Sequence, residues 1–295
     1  VQHDVIVVGG SYAGMAAALQ LARAHRSVLI IDAGLRRNRL ASHSHGFLTQ
    51  DGIDPADIAR SARRQLDAYP TLRRVDDEAA AIEGESDDFT VVMADGTKHH
   101  GRRILLATGV IDRLPPVDGL ADRWGRSVFH CPYCHGYELR RGLVGVIATG
   151  PMSTHQAELL TEWGTVTFLL NDSLTLDADA REALGVRGAV IEDTPIARIE
   201  AEADVHLVDG RVLPFAGIFV ATHVEPSGPL VEAVGCALEE TPMGLTIKTG
   251  PGKETSIPGI YACGDLHMPL SVSFAVGDGA MAGMQVHRSL VWPAA

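Results

Sequence analysis

Only four cysteines are spread over 295 residues, too few for the disulfide framework that replaces a core in small secreted domains. Cations are also scarce: lysine and arginine number 25 against 37 aspartates and glutamates, a formal net charge of -12. Such a surface repels phosphate backbones and anionic lipid, so neither a nucleic acid nor a membrane surface is expected as a partner. No apolar run approaches the roughly 18 residues of a membrane span; Ala13 to Leu19 is among the longest. A strand-like run opens at position 4 with no basic, apolar and small-residue series before it. A soluble, cytoplasmic protein is therefore expected, its thiols reduced unless a disulfide is part of the chemistry. What is present in quantity is apolar, 46% of residues against 21% charged. That suffices for a sizeable core, and at about 150 residues per domain the length suggests two domains.

Asp4 to Val8 is an apolar run followed by Gly9-Gly10-Ser11-Tyr12-Ala13-Gly14 and an alanine-rich stretch to about Ala24. The order is strand, tight turn, helix. A second apolar run, Val28 to Asp32, ends in an acid 23 residues after Gly9, as in the second strand of a dinucleotide-binding βαβ unit. Ser11 stands where the middle glycine of that turn is usual. Shifting the chain by 139 residues lays Val5 to Leu21 over Val144 to Leu160, and Asp32 over Asn171. Asp95-Gly96 and Asp209-Gly210, with the Ala-Thr pairs at Ala107-Thr108 and Ala221-Thr222, repeat at a common offset of 114. The fold class expected is α/β, two Rossmann-like domains with the second inserted in the first. Strands over Leu245 to Lys248 and Gly259 to Ala262, Gly264-Asp265 and a helix from Val272 to Leu290 close the first domain. The expected domains are residues 1–113 plus 244–295, and an inserted 114–243, with Pro115-Pro116 and Pro242 to Gly244 as hinges.

Cys131-Pro132-Tyr133-Cys134-His135 is the sharpest local feature. The C-x-x-C-H pattern also marks haem attachment, which needs export, and C-x-x-C can be half of a zinc site, which needs a second pair. Cys236 and Cys263 are isolated, and both are expected to be small core residues. A redox dithiol fits the context best, and a structural pair without chemistry stays open.

The glycine turn at Gly9, Ala107-Thr108-Gly109, the C-x-x-C and Gly259-Ile260-Tyr261-Ala262-Cys263-Gly264-Asp265 occur together in an order that resembles the low-molecular-weight thioredoxin reductases. The resemblance covers essentially the whole chain. It implies FAD in the first domain, with Gly9, Ser11, Tyr12, Ala13 and Gly14 at the pyrophosphate and Asp32, with Ala33 next to it, at the adenosine ribose. Arg37, Asn38 and His45 fall in a loop that approaches the cofactor in the family, and Ala107, Thr108 and Gly109 border it. Asp265 is implied at the ribityl chain, and backbone amides at Val272 and Ser273 at the isoalloxazine. A homodimer is implied by the same likeness.

The inserted domain departs from the reductases. Their glycine-rich turn for NADPH is here Ala148-Thr149-Gly150-Pro151-Met152-Ser153, and their cation cluster after the next strand is Asn171-Asp172-Ser173-Leu174. Gly142 to Ala180 holds no lysine or arginine, while Glu158, Glu162, Asp172, Asp177 and Asp179 contribute five acids. A 2'-phosphate there forfeits charge-assisted bonds of about 1.5 to 3 kcal/mol each and meets repulsion instead. NADPH is disfavoured; NADH is less clearly excluded, since Asn171 remains for a ribose hydroxyl. The segment from Cys131 to Glu138 resembles the branch that runs in the other direction, the dithiol oxidases of gliotoxin, holomycin and romidepsin biosynthesis. That resemblance implies a small-molecule dithiol as substrate, dioxygen as acceptor and hydrogen peroxide as product. Cys131 is then the thiol that meets substrate, Cys134 the one nearest the flavin, and His135 the general acid/base, an imidazole titrating near neutrality. Glu138 is a candidate to orient His135. Two other readings stay open: a disulfide reductase fed by NADH, ferredoxin or another donor, and a non-catalytic flavin redox sensor.

Overall fold

A computed structural model of the chain describes residues 2–293. It divides into two compact units. One comprises the chain up to Arg39, Phe47–Ile111 and the chain from Val224 onward; the other comprises Leu40–Gly46 and Asp112–His223.

The first unit opens with β1 (Gln2–Val8), α1 (Tyr12–Arg23) and β2 (Val28–Ile31). It continues through α2 (Pro55–Leu66), β3 (Leu72–Val75), β4 (Ala79–Glu85), β5 (Asp88–Met93) and β6 (Lys98–Leu106). Strand order is β3-β2-β1-β6-β5-β4, with β19 (Ile260–Ala262) pairing on β6. Val5 to Val8 and Val28 to Ile31 are buried on both faces, which is why these central parallel strands read as unbroken apolar runs. Only β4 and β5 are antiparallel additions. The helix α7 (Val272–Val291) closes the unit against α1. A Cβ on Gly279 would lie 2.1 Å from Ala13 O, and one on Gly283 2.6 Å from Ala17 O, so two residues without side chains set how closely these helices approach.

In the second unit, β8 (Val128–Phe129) leads into α3 (Pro132–His135). There follow β9 (Leu143–Ile147), α4 (Met152–Leu160), β10 (Thr165–Leu169), α5 (Ala178–Val186) and β11 (Val190–Glu192). With β15 (Gly217–Val220) they form a parallel sheet ordered β11-β10-β9-β15-β8. An antiparallel sheet of β12 (Ile196–Glu200), β13 (Asp204–Leu207) and β14 (Val212–Pro214) shares a core with it through Ile199, Val205 and Leu207 against Ile147 and Ile218. The β9–α4–β10 element repeats β1–α1–β2, as the offset of 139 predicts.

The chain passes between units on two neighbouring strands, β7 (Val110–Arg113) and β16 (His223–Pro226), in a sheet ordered β17-β18-β16-β7. Its other strands are β17 (Leu238–Thr241) and β18 (Gly244–Ile247), and α6 (Leu230–Val234) precedes them. This corrects the expected return at residue 244: the crossing is at His223/Val224. Leu230, Val231 and Cys236 are buried in one core with Ile6, Leu29 and Phe89, and that burial ties residues 224–243 to the first unit. The Pro242 to Gly244 signal belongs instead to the turn of a hairpin, where Thr241 pairs with Gly244. The segment Leu40–Gly46 was expected in the first domain and groups with the second.

Candidate active site and cofactor cradle

In the first unit β1 ends in a turn that only glycine fits. Gly9 has φ +106, and a Cβ there would sit 2.2 Å from Ala107 O. A Cβ on Gly14 would sit 1.9 Å from Gly9 O, and one on Gly10 2.7 Å from Asp32 Cβ. Gly9 and Gly14 thereby close backbone on backbone between β1, α1 and the end of β6, and Gly10 seats against the Asp32 side chain after β2. Ser11 N-caps α1 without a side-chain bond, so first-turn amides remain for an anion. Among the described residues, Asn38 Oδ1 and Thr108 Oγ1 are buried without a hydrogen-bond partner, on the segments that follow β2 and β6. Buried acceptors and hydroxyls are rarely left so. The glycine cradle, the uncapped helix start and these orphaned atoms fit a dinucleotide, and FAD is the group the residues suit.

The other expected cofactor residues arrive already connected. Arg63 Nη2 donates to Asp32 Oδ2 at 2.8 Å and Gly34 N to Asp32 Oδ1 at 3.2 Å; Ala33 is exposed beside them. Arg37 Nη1 donates to Asp265 Oδ2 at 3.1 Å. Tyr12 donates to Pro55 O at 3.0 Å and accepts from Asn38 Nδ2 at 3.3 Å, and burial raises its phenol pKa. Ala13 lies under Gly264, whose missing Cβ would be 2.6 Å from Ala13 Cβ. Gly109, with φ +73, ends the β6 segment beyond Ala107. Val272 and Ser273 occupy the first turn of α7, again behind an N-cap that makes no side-chain bond. Two groups escaped the sequence reading. Arg63 is one; the other is the half-buried Lys253–Asp278 ion pair, from which Asp278 Oδ2 accepts Gly264 N at 2.8 Å and so holds the Gly264-Asp265 turn. Neither belongs to a short motif, and only packing of α2 and α7 brings them in.

In the second unit Cys131 N-caps α3 with Pro132 at its first position, where a missing N–H costs nothing. One helical turn then brings Cys131 and Cys134 together as a disulfide, Cα atoms 5.3 Å apart, within ordinary reach. His135 stacks on Phe129 with ring centroids 4.3 Å apart. Burial first, and the neighbouring His45 second, lower its pKa to about 4. Gly136 lets α3 seat on an indole: a Cβ there would meet Trp163 Cδ1 at 2.6 Å. Tyr133 meets Trp163 edge-on at 5.1 Å, yet it is 71% exposed and Tyr137 84%, so two phenols stand at the surface beside the disulfide.

The loop Leu40–Gly46 joins this group. His45 Nδ1 lies 3.5 Å from Glu138 Oε1, and the missing Cβ of Gly46 would be 4.0 Å from Tyr133 O. The structure thus places His45 with the redox helix, and Glu138, expected to orient His135, beside His45. The free thiols Cys236 and Cys263 are buried, and burial raises both pKa values, as inert core cysteines require.

The turn after β9 spends its polar groups internally. Thr149 Oγ1 donates to Ala221 O at 2.6 Å and Thr149 N to Ser153 Oγ at 2.9 Å. Asn171, expected to remain available to a ribose, accepts Ile196 N on its side-chain oxygen at 2.8 Å. Two nearby cations are engaged: Arg181 with Asp193 and Arg211 with Glu192, whose carboxyl the Arg211 hydrogen bonds pull down to about 2.

The family model for pyridine nucleotide-disulphide oxidoreductases matches residues 3–283. The thioredoxin reductase tcpT of Claviceps purpurea (strain 20.1) is 32% identical over 304 residues, covering 98% of this chain and 94% of its own. Among solved structures, an oxidoreductase from Agrobacterium tumefaciens is 49% identical with a TM-score of 0.97 over 100% of both chains. HlmI is 34% identical with a TM-score of 0.89, covering 98% of this chain and 93% of its own. Similarity of this extent, on a fold whose first unit suits FAD and whose second carries the disulfide, makes the chain a member of the pyridine nucleotide-disulphide oxidoreductase family, a thioredoxin-reductase-like flavoprotein disulfide oxidoreductase.

Proposed function

We propose that the protein is an FAD-dependent dithiol oxidase, which closes an intramolecular disulfide in a small-molecule dithiol with dioxygen as acceptor and releases hydrogen peroxide. The observation that carries this reading is a redox disulfide beside a histidine, in a unit where Thr149, Ser153 and the Asn171 side-chain oxygen are bonded internally and Arg181 and Arg211 are paired with acids. Such a unit has little to hold a phosphorylated nicotinamide nucleotide, so electrons enter from thiols.

A substrate thiolate attacks Cys131 Sγ, a mixed disulfide forms, and the bond to Cys134 breaks with Cys134 leaving as thiolate. The second substrate thiolate attacks the substrate sulfur of that mixed disulfide, freeing cyclic product and a Cys131 thiolate. His135 is uncharged at neutral pH while the disulfide is intact. A thiolate appearing at Cys134 favours its protonated form, so the ring gains proton affinity at the step that releases protons. When bound, FAD would supply the two-electron acceptor for the Cys131 and Cys134 thiols, with dioxygen as the final oxidant. Asp265, held by Arg37, and the amides of Val272 and Ser273 would bind and orient that cofactor, and the Gly9 turn would take its pyrophosphate. We infer a homodimer in the cytoplasm; no described helix is long and apolar enough to cross a membrane.

An absorbance spectrum under nitrogen tests the assignment. A small dithiol should bleach the flavin, air should restore it with peroxide formed, and NADPH should do neither. Saturable NADPH oxidation that reduces a disulfide substrate would return the protein to the reductases.

A further inference from the structure

The redox helix hangs on short elements. β8, which leads into it, is two residues long and stands last in the order of the parallel sheet; α3 itself is four residues. Between them lies His130, whose carbonyl belongs to the same peptide group as the Cys131 nitrogen. That carbonyl is held by a side chain from another helix: Gln156 Nε2 donates to His130 O at 2.8 Å. Gln156 stands on α4 and is only 8% exposed, next to Ala157, which is buried with Leu160 in one core with Phe129. Its other end is idle. Gln156 Oε1 is buried with no hydrogen-bond partner among the described residues, a state that costs stability and is uncommon in folded chains. A buried carboxamide with half of its bonding capacity unused is retained for the half in use.

We propose that Gln156 is a positioning residue of the redox centre, whose amide pins the His130–Cys131 peptide and so keeps Cys131 at the start of α3 when no disulfide holds it there. While the disulfide is closed, Cys131 and Cys134 restrain each other and the amide adds little. Once a thiolate has opened it, that covalent restraint is gone, in the mixed disulfide and in the free dithiol alike. The Gln156 bond acts on the backbone, so it does not depend on what the Cys131 sulfur carries. A pinned Cys131 thiol stays within reach of Cys134, and the pair recloses more readily than two loosely held thiols would.

The other restraints on this segment act elsewhere. His135 on Phe129 and Gly136 on Trp163 hold the far end of α3. Trp124 lies 5.9 Å from the His130 ring and so touches a side chain rather than the peptide. The inference concerns the redox disulfide whichever way electrons cross it, so its test is separate from that of the oxidase reading.

In that test, two glutathione thiols reduce the Cys131–Cys134 disulfide and become glutathione disulfide, their protons passing to the freed cysteines. Holoenzyme is equilibrated under nitrogen at pH 7 in glutathione buffers of graded ratio, acid-quenched and alkylated. Cys131 and Cys134 are then scored by mass spectrometry, with flavin absorbance recorded in the same samples. Gln156→Met keeps the length of the side chain without the donor; Gln156→Asn keeps the amide without the reach. Losing one hydrogen bond from the open state should shift both equilibria toward the dithiol by about three- to tenfold, a tenfold shift being about 30 mV. A shift of less than about threefold in Gln156→Met, or one toward the disulfide, would overturn the role and leave Gln156 to packing. Should Gln156→Met not fold, the wild-type protein decides by NMR. In the reduced state the Gln156 side-chain amide, assigned by its loss in Gln156→Asn, should exchange its protons as slowly as in the oxidised state. Exchange as fast as that of the exposed Gln65 would mean that the bond does not outlast the disulfide. Saturable NADPH oxidation would sink the oxidase reading and leave these results standing.

Discussion

His135 couples the redox site to stability through a single ring. Its folded pKa of about 4 lies below the ordinary imidazole value of about 6.5, so the unfolded chain binds the proton more tightly. The stability from burying a neutral ring is therefore complete above pH 6.5 and drains away as pH falls toward 4. The shift corresponds to about 3 kcal/mol at the low end. Urea midpoints of the oxidised protein, measured from pH 7 to 4.5, should fall more steeply for wild type than for His135→Phe. Parallel slopes would mean that the ring titrates normally. The paired cysteines carry a second expectation: Cys131→Ser should retain flavin and lose dithiol-driven bleaching altogether, read as absorbance under nitrogen. The residue scale also marks a limit of sequence reading. Cys131, Cys134 and His135 are visible because one helical turn joins them, whereas the approach of His45 to Glu138 exists only once the loop has folded onto the redox helix.

At the scale of elements, two short contacts fix helices that the chemistry depends on. The redox helix α3 seats on Trp163 through Gly136, and a methyl group there meets both the indole and Pro132 O, at 2.6 and 2.7 Å. Gly136→Ala should cost about 1 to 3 kcal/mol, as overpacking does, and alter tryptophan fluorescence as the helix lifts. Unchanged melting and emission would show that the ring yields. On the first unit, Gly283→Val drives a branched side chain into Ala17 O and should loosen α7 from α1, lowering both the melting temperature and the FAD content of the purified protein. The β1–α1–β2 and β9–α4–β10 units were legible because glycine spacing and apolar runs are local signals. The crossing at Val224 was not. Proline and glycine punctuate hinges and hairpins alike, and only the burial of Leu230 and Val231 shows that Pro242 to Gly244 marks the second.

For the molecule as a whole, the cofactor should act as structural mass as well as chemistry. Asn38 Oδ1 and Thr108 Oγ1 have no partner among the described residues, and a ligand that binds only the folded chain stabilises by mass action. FAD at a hundredfold excess over its Kd is worth about 2.7 kcal/mol. Deflavinated protein should thus melt a few degrees lower, about 4 °C at this chain length, and regain the difference on titration with FAD. An unmoved transition would show that the cradle is already satisfied. The seven residues Leu40–Gly46 have a further consequence for anyone recombining relatives. A chimera cut only at Ile111 and Val224 takes the redox helix from one parent and the segment that lies on it from another. To exchange substrate preference without mismatching that seam, two pieces of gene must travel together rather than one.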